Sequence, residues 1–509
     1  MSLMGIDIGT SGCKALAFNE SGRIISSAYR KYDVIRKEPG QAELNSLEVW
    51  QRISEVIGEC AAGASKDPVE SLSVTSMGEA LVPVDASGAI CADTMLGMDT
   101  RGARHVERLV EAIPPEELYR ITGNMPGMGF SLPNLCWLKE NRPETYRTAS
   151  KFLPWADFVC FKLTGETYAN YPLANRTLLF DLEKRRWSGK IADVAGLDMD
   201  KMPRLAPSGM EMGSVSRGLA AELNLPSVAK VALGTHDQCA AALGAGVRRA
   251  NAAMLGLGTF ACAVLVHSEP GDGSPFRKLA LNIEDHAVPG HYVSFVYHGS
   301  GGALIKWMRD EFFRDLKGEG AYMRMFEGLG DSSDNPVVMP YFAGTGPLDC
   351  AEGGQGAICG LSFAHSRNDI LKGVLEGVVL YFKDAFSRLA ATSSTMGRIH
   401  ASGGGAESAF WLQMIADILE TPVVKPLNKE CGALGAAILA GVGTGRYTSF
   451  DEAVAQLVGF EHEYRPSPQR KERYARAFQR YTSLKTALSI GEKKPHDKQG
   501  GACPQPNLR

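Results

Sequence analysis

The sequence has 509 residues, 44% of them hydrophobic and 22% charged, with a formal net charge of −3. That length exceeds what one hydrophobic core organises, so two domains of about 200–250 residues are expected. The near-neutral balance gives no electrostatic reason to expect nucleic acid or a membrane as partner. No signal pattern and no run of about 18 apolar residues opens the chain. The 11 cysteines lack Cys-x-x-Cys spacing, which points to reduced thiols in a cytoplasmic protein.

Met1-Ser2-Leu3, ahead of a second Met4, reads as an expression scar outside the fold. Met4 to Ile8 is a short apolar run broken by Asp7 and ending in Gly9-Thr10-Ser11-Gly12. A second run covers Lys14 to Phe18, and a turn cluster leads to Ile24 and Ile25, so a β-meander with a glycine-rich tip is expected. A helix from about Leu47 follows, with Asn45 as cap, Glu48 three residues on, and Val49, Ile53, Val56 and Ile57 on one face. Leu72–Thr75 reads as a strand leading into Ser76-Met77-Gly78-Glu79, and residues 101–168 read as largely helical.

Val228–Leu233 reads as a strand running into Gly234-Thr235-His236-Asp237-Gln238. Met254–Thr259 and Ala261–Val266 then repeat the opening shape. Aligned on Gly-Thr, Gly9-Thr10 falls on Gly258-Thr259 and Asp7 on Gly256, so a second, related domain is expected from residue 248. Helices are expected over Asp369–Leu389, Ala409–Leu419 and about Ala433–Val442, with Ile399–Ser402 a strand before Gly403-Gly404-Gly405-Ala406. The polar, Pro/Gly-rich stretch 491–509 reads as a disordered tail. The expected domains are therefore 4–247 and 248–490.

Three glycine-rich elements carry the chemistry. A hairpin tip with bare N–H groups, the hydroxyls of Thr10 and Ser11 and the Lys14 ammonium can wrap phosphate oxygens, and Asp7 at the strand end can hold Mg²⁺. The plain alternative is a tight surface hairpin. Gly258-Thr259 offers a second tip without the acid. Gly403-Gly404-Gly405 opening a helix lets a flat ring lie on bare backbone, or else serves close helix packing alone. Asp237 can accept a hydroxyl proton during phosphoryl transfer, or merely cap a helix. His236 reads as structural. Glu79, and Asp99 with Arg101, can orient sugar hydroxyls or sit as solvated loop charges.

These residues resemble the FGGY carbohydrate kinases of the actin/hexokinase superfamily, from Met4 to about residue 485. Gly356-x-x-x-Gly360-Leu361 with Asp369-Ile370 and Val374-Leu375-Glu376 is similar to the family's C-terminal signature, with Gly373 where Ala or Ser is usual. Leu135–Asn141 fits the N-terminal signature, with Asn134 in place of Lys. Tyr341–Gly344, Gly403–Ala406 and Gln413-x-x-Ala416-Asp417 are also family-like.

The resemblance implies an α/β fold of two actin-like (ribonuclease H-like) domains around a central cleft, binding ATP and Mg²⁺. It implies Asp237 as general base, and Asp7 with Asp237 at the metal. Thr10, Ser11, Lys14, Gly258 and Thr259 would lie near the phosphates, and Gly302, Lys306, Gly404 and Ser408 around the nucleotide. Gly78, Glu79, Asp237 and Gln238 would face the sugar. Glu79 stands where glycerol kinases carry a substrate Glu and xylulokinases a His, while Gly78 and Gly97 replace a glycerol kinase Arg and Trp. Gly234–Asp237 resembles fuculokinase-like members. The resulting expectation is a kinase for a small sugar or polyol, a xylulose-like ketose favoured, with glycerol, fuculose and gluconate types as alternatives. An ATP-driven conformational protein of the actin superfamily and a pseudokinase are the readings from other classes. A homodimer is the default expectation for assembly.

Overall fold

The opening apolar runs fold into a meander of β1 (Ser2–Ile8), β2 (Gly12–Phe18) and β3 (Ile24–Lys31). The computed structural model describes residues 2–270, 274–318, 320–330, 335–349, 354–390 and 396–490, so the expected tail lies outside the described residues. Ser2 and Leu3 correct one expectation. Both are buried members of β1, Leu3 pairing with Phe18 and Ser2 with Val69, because the sheet needs the strand's full length to cover its neighbours.

Helix α1 (Ser46–Gly63) starts as the sequence predicts, the Asn45 side chain accepting from the Glu48 N–H at 3.1 Å, a cap worth about 1 kcal/mol. Its apolar stripe Val49, Ile53, Val56 and Ile57 is wholly buried. It leads to β4 (Val69–Ser76), parallel to β1; then come β5 (Glu211–Ser214) and β6 (Lys230–His236), giving the sheet order β5-β6-β4-β1-β2-β3. The strand β6 runs three residues past the expected Leu233, and Asp237 is the first residue of α2 (Asp237–Gly244). His236, not Asp237, holds the N-cap position, so the plain capping role for Asp237 does not apply.

The second half repeats this plan. Its sheet comprises β7 (Ala252–Leu257), β8 (Ala261–His267), β9 (Glu284–Asp285), β10 (Tyr292–His298), β11 (Arg398–Ser402), β12 (Val423–Pro426) and β13 (Phe460–Tyr464), in the order β9-β10-β8-β7-β11-β12-β13. In both sheets the hairpin's first strand pairs antiparallel with its second and parallel with a later strand. Asp7 faces Lys14 and Thr75, and Gly256 faces Cys262 and Ser402. The weak Gly-Thr repeat of the sequence is therefore a repeat of topology, and this is the architecture of two actin-like domains. The turn after β4, at Gly78-Glu79, corresponds to the turn after β11, at Gly403-Gly404.

Between the strands of this half run α3 (Gly302–Phe312), α4 (Arg367–Ala390) and α5 (Ala409–Leu419). The family-like helix α4 lies so close to residue 336 that a Cβ at Gly373 would stand 2.4 Å from the Pro336 carbonyl oxygen, which explains the missing Ala or Ser. Gly404–Glu407 forms a 3₁₀ turn before α5, so the glycine run does not itself open the helix.

Helix α6 (Cys431–Gly443) belongs to the second half by sequence yet packs on α2 and on β1 of the first sheet. Backbones touch there: a Cβ at Gly5 would lie 1.7 Å from the Ala433 oxygen, and one at Gly435 1.9 Å from the Ala240 oxygen. Leu3, Leu16 and Phe18 share one apolar cluster with Leu434 and Ile438. Tyr119, Phe180 and Leu182 in turn join the core of the second half beside Leu255 and Ile283. A cut at residue 247 thus follows the chain but not the packing. No helix among the described residues is long and apolar enough to cross a membrane.

Candidate active site

The tip of the first hairpin is tightened by the Gly9 N–H donating to the Gly12 oxygen at 2.9 Å. The Tyr32 hydroxyl donates to the Gly9 oxygen at 2.6 Å, fixing the loop from behind. Thr10 is half-buried and Ser11 exposed. Lys14, cross-strand from Asp7, lies 3.2 Å from the Asp7 Oδ2 and also donates to Glu430, just ahead of α6. Burial raises the Asp7 carboxyl above its ordinary value against the pull of Lys14. Burial alone would lower the Lys14 ammonium; Asp7 and Glu430 outweigh it and hold the charge on. The start of α6 closes over this corner, since a Cβ at Gly432 would stand 2.9 Å from Asp7 Oδ2. The helix N-terminus adds partial positive charge there.

Asp237 sits where β6 gives way to α2 and keeps 32% of its side chain exposed. Burial pushes its carboxyl up to about 7, with Asp7 and Glu79 adding to the rise, while hydrogen bonds from Gln238 pull the other way. Beside it, His236 Nε2 lies 3.3 Å from Asp237 Oδ1, and burial, then Arg176, keep that imidazole neutral. Cys262 of β8 is pushed up to about 12 by burial and then by Asp237 and Glu284, which puts the second hairpin within electrostatic reach of the same carboxylate.

Glu79 has a left-handed backbone (φ 61°), and its carbonyl accepts from the Ser131 hydroxyl at 2.9 Å. Its carboxylate is not a solvated loop charge. Arg176, following the short helix Tyr171–Asn175, donates to it through Nε and one terminal nitrogen, and to Glu284 of β9 through the other. The guanidinium lies over the Phe130 ring at 4.9 Å. Gly78 is tight against this group, a Cβ there falling 3.0 Å from Arg176 Cγ and 3.2 Å from His236 Nε2. The other acid–base pair, Asp99 and Arg101, is a buried structural network. Arg101 donates to Asp99 and Glu43 and covers Trp137 at 4.2 Å.

On the other side, the Gly302 N–H donates to the Gly258 oxygen at 2.7 Å and the Ala303 N–H to the Thr259 oxygen at 3.1 Å, so hairpin tip and helix α3 form one unit. Gly403 (φ 84°) approaches it, a Cβ there falling 3.2 Å from the Gly258 nitrogen. Gly404 alone of this run faces open space, with nothing within 4 Å of a Cβ. Two expected residues are otherwise engaged. The Ser408 hydroxyl accepts from the Trp411 N–H at 3.2 Å as the cap of α5, and Lys306 is an exposed side chain paired with Asp310 at 3.0 Å. Asp417 of the family-like Gln413–Asp417 stretch is likewise structural, accepting from Gln413, the Ser467 N–H and Arg470.

Arg176, Glu284, Glu430 and Gly432 are absent from the expected set. A charged pair, Glu284-Asp285, between Leu281 and Ile283 on one side and Ala287 and Val288 on the other, and an acid directly before the Gly/Ala helix were the available signals.

The stretches of chain that carry these elements match a family with known members. The profile of the N-terminal domain of the FGGY family of carbohydrate kinases matches residues 2–244, and that of its C-terminal domain matches residues 253–444. The chain is 26% identical over 486 residues to the xylulose kinase of Bacillus subtilis, covering 95% of this chain and 96% of that one. It is 24% identical over 476 residues to the gluconokinase of the same organism, covering 91% of each. Among solved structures, the xylulose kinase from Rhodospirillum rubrum superposes with a TM-score of 0.87 at 25% identity, over 96% of this chain and 99% of that one. The chain belongs to the FGGY family of carbohydrate kinases.

Proposed function

We propose that this kinase transfers the γ-phosphoryl group of ATP to a hydroxyl of a small sugar or polyol, a xylulose-like ketose favoured, with Asp237 as the catalytic base. The observation that carries the reading is the place of the Asp237 carboxylate, at the start of α2 where β6 ends and partly open to solvent, where it can accept a hydroxyl proton. In the step proposed, the substrate oxygen forms a bond to the γ-phosphorus as the bond to the β-bridging oxygen breaks, and the hydroxyl proton passes to Asp237. Gly78, Glu79 and Gln238 complete the sugar side.

Thr10, Ser11, Lys14, Gly258 and Thr259 are assigned to the phosphates from the two hairpin tips. Gly302 and the open backbone at Gly404 are assigned to the nucleoside, flanked by Lys306 and Ser408. The carboxylates of Asp7 and Asp237 fit a hard cation, and Mg²⁺ held there, directly or through water, would offset the phosphate charge. Lys14 already stands between two carboxylates and can move to a phosphate oxygen without a change in its own protonation. The domain break is assigned at 247/248 and the end of the second domain at 490, with Ser2 and Leu3 included in the first, in a cytoplasmic enzyme. ADP release measured with ketoses, polyols and sugar acids tests the reading. Asp237→Ala should cut sugar-dependent turnover by about 10²–10⁴-fold, and sugar-independent hydrolysis that survives this substitution would sink it.

A further inference from the structure

We infer that Arg176, clamped between Glu79 and Glu284, fixes the charge of the sugar pocket and confines the substrate to neutral polyhydroxy compounds, excluding sugar acids. The inference rests on the sugar-kinase reading above and names the substrate class within it.

A sugar acid held in a closed pocket needs a cation with free donors, most simply a forked guanidinium. Arg176 is a guanidinium at this pocket, and its single positive charge is already matched by two carboxylates. Nε and one terminal nitrogen bond Glu79, the other terminal nitrogen bonds Glu284, and one face is covered by Phe130. Its side chain is only 15% exposed, that of Glu284 0% and that of Glu79 17%. The charged groups that act on Asp237 are the carboxylates of Asp7 and Glu79, with Gln238 donating to it. A carboxylate brought beside them meets repulsion, and the two cations nearby are already paired, Lys14 with Asp7 and Glu430 and Arg176 with Glu79 and Glu284. A hydroxyl meets acceptors instead.

The glycines that set this chain apart have the same origin. A Cβ at Gly78 would press on Arg176, and one at Gly97 would stand 3.1 Å from Glu79 Cβ and 2.9 Å from the Gly129 oxygen. Neither the arginine nor the tryptophan of glycerol kinases fits while the clamp is in place. The clamp also spans the two halves of the chain, Glu79 and Arg176 coming from the first and Glu284 from β9 in the second.

The test uses the full-length enzyme with ATP and Mg²⁺, comparing kcat/KM for neutral ketoses and pentitols with that for gluconate and xylonate. Calorimetric binding of both groups is measured alongside. The wild type should prefer the best neutral compound by at least about a hundredfold. Glu79→Gln, which keeps shape but removes one of the two negative charges facing Arg176, should narrow that ratio at least about tenfold, and aldonate binding should tighten. A melting curve establishes that the variant is folded, and loss of shape alone would weaken both classes together. Wild-type turnover of an aldonate equal to that of the best neutral sugar would overturn the inference, as would an unchanged ratio in the variant. If no compound elicits ADP release, the kinase reading fails. Calorimetry then still decides the charge preference: neutral compounds bound and aldonates refused would uphold it, and no binding of either would end it.

Discussion

Replacing Gly435 by Ala tests whether the backbone contact between α2 and α6 positions the site. The added Cβ would sit 1.9 Å from the Ala240 oxygen, where ordinary contact begins at 3.4 Å, and backbone on both sides leaves no flexible atom to yield. The helices must part by roughly 1.5 Å, a strain of the size that costs about 1–3 kcal/mol in a packed core. One helix begins with Asp237, and the other is preceded by Glu430, which holds Lys14. A shift of about 1 Å in such groups is worth about a hundredfold in rate. Calorimetry and steady-state kinetics should therefore show Tm lowered by about 2–6 °C and kcat down by about two orders of magnitude. Gly218→Ala, in the helix Arg217–Glu222 with nothing within 4 Å, is the control and should be neutral or slightly stabilising. A Gly435→Ala enzyme with wild-type Tm and kcat would refute the reasoning.

Gly404→Val should leave Tm unchanged, because no protein atom lies within 4 Å of its Cβ, yet raise KM for ATP about tenfold or more; equal KM values would remove Gly404 from the nucleotide site. Burial pushes the His286 imidazole down to about 3, so on unfolding it takes up a proton anywhere between that value and about 6.5. This group's contribution to stability is therefore full above about pH 6.5 and falls as pH drops through the window. Because buried carboxylates raised in the fold act in the opposite sense, the effect is read as a difference. Between pH 7.5 and 5.5 the wild type should lose about 1.4 kcal/mol more than His286→Gln for the pH unit below 6.5. Denaturant melts showing equal losses would contradict it.

What was legible in the sequence was local. Asn45 and Glu48 announce α1, Ser408 followed by an apolar run announces α5, and two Gly-Thr steps reveal two sheets of one topology. The short range of those signals also misled. Ser2 and Leu3 looked dispensable because their partners, Val69 and Phe18, are distant in the chain. Lys306 and Ser408 were assigned by position alone, and the sequence did not show the surface ion pair and the helix cap that they also form. The partners that shape the pocket lie far apart, Arg176 and Glu284 by 108 residues and Lys14 and Glu430 by 416. No periodicity or spacing rule brings such residues together. Only the crossing of α6 onto the first sheet and the docking of β9 against residues 119–176 does so.

The central claim is phosphoryl transfer to a sugar hydroxyl with Asp237 accepting the proton, and ³¹P NMR of the reaction mixture tests it most directly. With ATP, Mg²⁺ and a neutral ketose or polyol, one phosphomonoester should appear for each ADP formed, and Asp237→Asn should suppress both together. Inorganic phosphate as the only product, or ester formation undiminished in Asp237→Asn, would contradict the account.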